Sequence, residues 1–249
     1  MNNSRISVLA AGSFFNAVAI LIQKYKEDYP NIQIDYRCGP AGILRGKILS
    51  GEACSLFVSA DYKNAKKVSD AFCEAPVVPV CRSSLCVIAL KTAATNGEDA
   101  MTLLSNPCMR IGTSTPGDDP CGDYTQKFFE MIRKESPELA NSISARSKAL
   151  VGGRHSNPVP SGKKAALWLL ETGQCDVFIG YRAFWNTYKG KPEIVTADIP
   201  QRYTIHPEWY MTYRPDAHRL AEFIVSPLGR SIIRSCGFLD SKSEVNVRV

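Results

Sequence analysis

The sequence predicts an α/β fold. Short apolar runs recur at strand length, segments with apolar residues at helical spacing lie between them, and glycine- and proline-rich junctions mark the changes from one to the other. Ile6–Ala10 and Ile32–Tyr36 read as strands flanking a helix over Phe14–Tyr29, whose Val18, Leu21, Ile22 and Tyr25 share one side. Ile43–Leu49 reads as a short helix ended near Gly51, Leu56–Ser59 as a buried strand, and Lys63–Phe72 as the next helix. This βαβαβ run suits a mostly parallel sheet with helices on its faces.

Val77–Cys81 and Leu85–Leu90 read as extended segments broken at Arg82–Ser84, and Met109–Thr113 as a strand leading into a loop and then the helix Tyr124–Lys134. Lys163–Thr172 is an amphipathic helix feeding the strand Val177–Ile179. Ile194–Val195, Tyr203–Ile205 and Tyr210–Tyr213 read as extended, followed by helices over Ala217–Ile224 and Leu228–Ser235, the second closed by Gly237 at its C-terminal end. The chain contains no internal repeat and no low-complexity segment. The break at Arg82–Ser84 and the extended segment near Tyr203–Ile205 suggest two lobes joined by two crossings.

At 249 residues the chain can bury a substantial core as one large or two small domains. A formal charge of +6 biases it mildly toward anions, yet no dense basic stripe with interleaved aromatics marks a nucleic-acid surface. No apolar run reaches the length of a membrane span. The chain starts almost directly on Ile6–Ala10, so it reads either as cytoplasmic or as lacking a removed signal segment. Nine cysteines at irregular spacing, with no CxxC and only three histidines, give no zinc pattern and read mostly as small core residues.

Four junctions carry the functional reading. Ser114–Tyr124 (STPGDDPCGDY) runs into a helix, and Gly12–Ser13, Gly39–Gly42 and Pro160–Gly162 do the same. Turns at helix starts can aim several backbone N–H groups at one point and recruit an anion without a basic side chain. Each junction alone also fits ordinary architecture; together, in an α/β pattern, they read as a receptor for a small anion. A nucleotide P-loop, a dinucleotide fingerprint and a nucleophile elbow are all absent from the sequence, so an enzyme is not expected.

The segments ISVLAAGSF (Ile6–Phe14), GILRGKILSGEACSLFVSAD (Gly42–Asp61), TPGDDPCGDY (Thr115–Tyr124), ETGQCDVFIGYRA (Glu171–Ala183) and SPLGRSIIRSCGF (Ser226–Phe238) carry a family likeness. In this order the chain resembles the molybdate/tungstate-binding receptors of ABC importers, within the type II periplasmic substrate-binding proteins. The resemblance implies a two-lobed α/β type II periplasmic-binding-protein fold with a ligand cleft between the lobes. It places residues 1–82 and 204–249 in a discontinuous first lobe and 83–203 in the second. It further implies a monomeric, periplasmic or membrane-associated extracellular receptor that delivers a small inorganic anion to a permease and needs no cofactor. The alternative is an anion- or metabolite-sensing effector domain of the same fold, or a receptor for sulfate or phosphate.

Residue by residue, the resemblance implies ligand contacts at Gly12 and Ser13, and at Ala41, where a second serine is replaced and only the backbone N–H can donate. It extends them to Asp119, Pro120 and Cys121 in the central loop, to Ser161 and Lys163 before the later helix, and to Tyr181. The anion's metal centre would be held through its oxygens, with no direct side-chain ligation. Other readings stay open. Ser13 is equally suited to cap the helix from Phe14, and Tyr181 to line the core. Lys163 is suited either to solvent or to the anion. Asp118 and Asp119 would point outward, cap the next helix, or pair with Arg146, Arg154 or Arg182.

Overall fold

The computed structural model describes residues 5–160 and 163–242, so Ser161 and Gly162, and the proposed contact at Ser161, lie outside the described residues. The chain divides into two compact units, residues 1–83 with 207–249 and residues 84–206.

The first unit opens with β1 (Arg5–Ala11), a single 3₁₀ turn over Gly12–Phe14, α1 (Phe15–Asp28), β2 (Gln33–Gly39), α2 (Ala41–Leu49), β3 (Leu56–Ser59), α3 (Tyr62–Ala71) and β4 (Val77–Arg82). β1 pairs in parallel with both β2 and β3, as the βαβαβ pattern requires. α1 buries Ala17, Val18, Leu21, Ile22 and Tyr25, the stripe expected from their spacing. β3 is buried along its whole length, which explains its unbroken apolar sequence.

The second unit contains β5 (Leu85–Leu90), α4 (Ala100–Ser105), β6 (Ile111–Ser114), α5 (Pro120–Glu135), α6 (Pro137–Arg146), β7 (Ser147–Val151), α7 (Ala165–Glu171), β8 (Val177–Tyr181), α8 (Arg182–Asn186) and β9 (Ile194–Asp198). Its sheet runs β7-β6-β8-β5-β9, with β6 parallel to β7 and β8 and with β5 antiparallel to β8 and β9. One apolar cluster on this sheet gathers Leu85, Val87, Ile111, Phe128, Phe129, Ile132, Val177 and Ile179.

The chain then returns to the first unit through β10 (Glu208–Tyr213), α9 (His218–Val225), α10 (Pro227–Ser235) and β11 (Leu239–Asp240). β10 lies between β3 and β4, giving the order β11-β4-β10-β3-β1-β2. The sheet is therefore mixed rather than mostly parallel, because every pairing made by β10 and β11 is antiparallel. α10 ends with Gly237 at φ 90°, where its N–H reaches Arg234 O at 2.8 Å, a left-handed stop that glycine adopts without strain.

Several boundaries differ from the sequence expectation. The helix expected from Tyr124 begins at Pro120, because Asp119 caps it and proline suits the first helical position. The helix expected from Lys163 begins at Ala165. Tyr203–Ile205 is not a strand: Gln201–Tyr203 forms a 3₁₀ turn that buries the Tyr203 ring against Phe128, and the sheet edge is β9 instead. α4, α6 and β7 went unread because their burial is partial and their apolar patterning short.

Candidate functional site

In the first unit, β1 and β2 end side by side, with Ala11 opposite Gly39. Each strand turns at once into a helix, through Gly12–Phe14 and through Pro40. The two turns nearly touch, since a Cβ on Gly12 would lie 3.8 Å from Gly39 O. Neither α1 nor α2 carries a side-chain cap at its N-cap residue, Phe14 and Pro40 respectively. Neither helix start, each with the polarity that favours negative charge, is capped by the side chain of its own N-cap residue, and the Phe15 N–H at the start of α1 bonds Gly12 O.

The next start along the same sheet is closed. Asp61 caps α3 by accepting from Asn64 N at 2.8 Å, and its other oxygen takes the Asn64 side chain. Arg45 in turn donates to Asn64 Oδ1 at 2.5 Å. The lack of an N-cap side-chain bond at α1 and α2 is therefore a feature of those two turns and not of the whole sheet edge.

Ser13 sits within the 3₁₀ turn and is partly exposed. It does not cap α1, whose N-cap is Phe14. Its hydroxyl oxygen instead accepts the indole N–H of Trp209 at 3.1 Å, and no other hydrogen bond among the described residues engages that oxygen. Trp209 is fully buried on β10, held edge-on to Phe238 at 5.0 Å, with Phe238 tilted against Phe14 at 5.6 Å. Ala41 is the first residue of α2 and is buried, so its site offers a backbone N–H and little room for a larger side chain.

The glycine–proline loop of the second unit behaves differently. Its donors are largely spent within the loop and its near neighbours. Asp119 N bonds Thr115 O at 3.0 Å, Gly117 N bonds Asp123 Oδ1 at 2.7 Å, and Cys121 N bonds Asp119 Oδ1 at 3.0 Å. Pro120 has no N–H to give. Asp119 is the cap of α5, and Asp118 pairs with Arg154 at 3.3 Å while accepting its backbone N–H at 3.0 Å. Of the other bases open to these carboxylates, Arg146 grips the carbonyls of Leu104, Asn106 and Met109, and Arg182 pairs with Asp198 at 2.6 Å.

The Cys121 thiol is buried, and burial, with the nearby Asp119 charge, pushes its ionisation well above the ordinary thiol range. It is therefore a neutral packing group, not an anion or a nucleophile. Tyr181 ends β8 and packs against the main apolar cluster of this unit, with its hydroxyl oxygen withdrawn from solvent. Lys163 is exposed, two residues before α7, and its backbone N–H closes a turn on Pro160 O at 3.0 Å.

All nine cysteines are free, with Cys54, Cys81, Cys86, Cys121, Cys175 and Cys236 buried. No group of His, Cys, Asp or Glu among the described residues could hold a metal ion. Trp209 is the member of this site that sequence reading missed. The strand over Tyr210–Tyr213 was legible, but it extends to Glu208, and nothing local links Trp209 to a serine 196 positions away.

Known proteins are similar to this chain in sequence or in fold. An uncharacterized protein of Pasteurella multocida, PM1146, is 33% identical over 235 residues, covering 93% of this chain and 97% of its own. The periplasmic molybdate-binding protein of Azotobacter vinelandii superposes with a TM-score of 0.72 at 16% identity, covering 95% of this chain and 100% of its own. The sulfate-binding protein SubI of Mycobacterium tuberculosis gives 0.73 at 14% identity, covering 96% and 88%. At those identities the likeness to solved structures is one of fold, that of the type II periplasmic binding proteins. The model for bacterial extracellular solute-binding proteins matches residues 6–239, nearly the whole chain, and the chain belongs to that family.

Proposed function

We propose that this protein is an extracytoplasmic receptor for a divalent tetrahedral oxyanion, preferring molybdate or tungstate over sulfate and phosphate, and that it delivers the anion to an ABC permease. One observation carries the reading: the adjacent strand-to-helix turns before α1 and α2, whose N-cap residues give no side-chain cap, with the Ser13 hydroxyl in the first of them. A dianion with four acceptor oxygens needs many directed donors, and hydroxyls, backbone N–H groups and helix starts supply them without burying a basic side chain.

We assign the anion's contacts in the first unit to Gly12, Ser13 and the first turn of α2 at Ala41. Asp119, Pro120 and Cys121 we assign to holding the start of α5, since their polar groups are used there. Tyr181 is kept as a further hydroxyl donor, and Lys163 as a surface cation. Molybdate- and sulfate-binding proteins among the structural neighbours agree with this class of ligand. The preference for the larger anions follows from the proposed donor shell: shorter-bonded sulfate would leave donors poorly satisfied, and protonated phosphate would bring a hydrogen that a shell of donors cannot accept.

Isothermal titration with molybdate, tungstate, sulfate and phosphate tests the proposal. Tight binding of the first two and weak binding of the others is expected. Equal weak binding of all four overturns it, and binding of an organic ligand alone would place the chain among metabolite sensors.

A further inference from the structure

We infer that Trp209 is a positioning residue for the proposed anion site, setting the Ser13 hydroxyl to donate outward. The inference rests on the oxyanion reading and extends it to a residue that does not itself touch the ligand.

The Ser13 hydroxyl has one hydrogen and an oxygen that can accept. The oxygen takes the Trp209 indole N–H at 3.1 Å. Because an indole can only donate, this bond fixes one acceptor side of the hydroxyl and turns its hydrogen away from the indole. A hydroxyl that accepts on one side is also polarised into a stronger donor on the other, so the indole, the hydroxyl and an anion oxygen would form one cooperative chain. A protonated oxyanion would need an acceptor at this position, and Trp209 takes one of the two that the Ser13 hydroxyl offers.

The fold fixes the direction of the indole. Trp209 has no exposed surface, its ring stands edge-on to Phe238, and Phe238 packs on Phe14 beside Ser13. The pairing of β10 with β4 is irregular at this point: Trp209 faces Cys81 whereas Tyr210 faces Pro79, so Val80 is the additional residue. Such a bulge redirects the side chains next to it, and Pro79 has no N–H with which to keep a regular ladder. A strand from the returning chain thus supplies the bond that orients a side chain from the N-terminal turn.

The test is a double-mutant cycle on molybdate affinity by titration calorimetry. Trp209→Phe keeps most of the ring and removes the N–H, and a loss of about threefold to tenfold is expected for one hydrogen bond acting through another. In a Ser13→Ala background the same substitution should change affinity less than twofold, because the group it acts through is gone. Benzothienylalanine at position 209, isosteric but without the N–H, should reproduce the single-variant loss and covers a Trp209→Phe protein that does not fold. Phosphate discrimination should narrow in the same single variants. Equal losses in the wild-type and Ser13→Ala backgrounds, or no loss with benzothienylalanine, overturn the positioning role while leaving the oxyanion reading intact. A wild-type protein that binds none of the four anions overturns both.

Discussion

At the scale of single residues, the polar atoms of the site separate into those already engaged and those left to act. Ser13 accepts from Trp209 and retains a hydrogen to give, whereas Asp119 is committed to a helix start. Ser13→Ala should weaken molybdate binding by roughly tenfold to a hundredfold, the effect of a charge-assisted hydrogen bond worth about 1.5–3 kcal/mol, and should also lower thermal stability, because the hydroxyl that accepts the Trp209 N–H goes with it. Tyr181→Phe removes one phenolic oxygen and tests that hydroxyl separately: a similar loss of affinity in a well-folded protein is expected, and unchanged affinity would leave Tyr181 a core residue. Lys163 is exposed, so Lys163→Met should cost little and lose its effect in high salt, where surface charges are screened. A large, salt-resistant loss would place Lys163 in the site. Titration of each variant at two salt concentrations checks all three.

At the scale of elements, the start of α5 shows how a loop that looks built for an anion can satisfy itself. The carboxylate of Asp119 already does for α5 what a ligand would do. Asp119→Ala should lower stability by about 1 kcal/mol, the usual cost of losing a cap, as read from urea unfolding. Gly122 belongs to the same arrangement. A Cβ there would fall 2.5 Å from Thr115 C and 2.6 Å from Ser114 O, so α5 lies directly on the backbone of the loop before it. Gly122→Ala should be markedly more destabilising than the cap variant, because the obstruction is backbone and cannot rotate away. The glycine and proline spacing of this loop was legible in the sequence. That its N–H groups were spent was not, since their acceptors include Asp123 on the helix that follows, and Asp118 is held by Arg154 from another loop.

At the scale of the whole molecule, burial constrains thiols in both units in the same way. Burial pushes the thiols of Cys54, in the first unit, and of Cys86 and Cys175, in the second, up to about 12. An unfolded thiol ionises near about 8.5, so between these values the folded state holds more protons. The stability they contribute is complete below about pH 8.5 and falls as pH rises toward 12. Urea midpoints under reducing conditions should therefore decline steadily above about pH 9, and Cys86→Ala should make that decline shallower. In the native state a thiol reagent should label exposed Cys73 and Cys108 first and leave the six buried cysteines until unfolding.

The sequence by itself determined the α/β class, the parallel βαβαβ start and the identity of β3 and β5, because apolar periodicity and run length report which faces are buried. It also marked the junctions at Gly12–Ser13 and Gly39–Gly42, since turn residues between a strand and a helix are local features, while Ala41 as a contact is what the family resemblance implies. Tertiary structure alone decided that β10 enters between β3 and β4 to make a mixed sheet, and that Tyr203 buries its ring in a turn instead of extending a strand. It also decided which polar groups at the helix starts already have partners. That property depends on partners distant in sequence: Trp209 reaches Ser13 from 196 residues away. Local pattern records what a residue can donate or accept; only the folded chain decides whether a neighbour has already taken it.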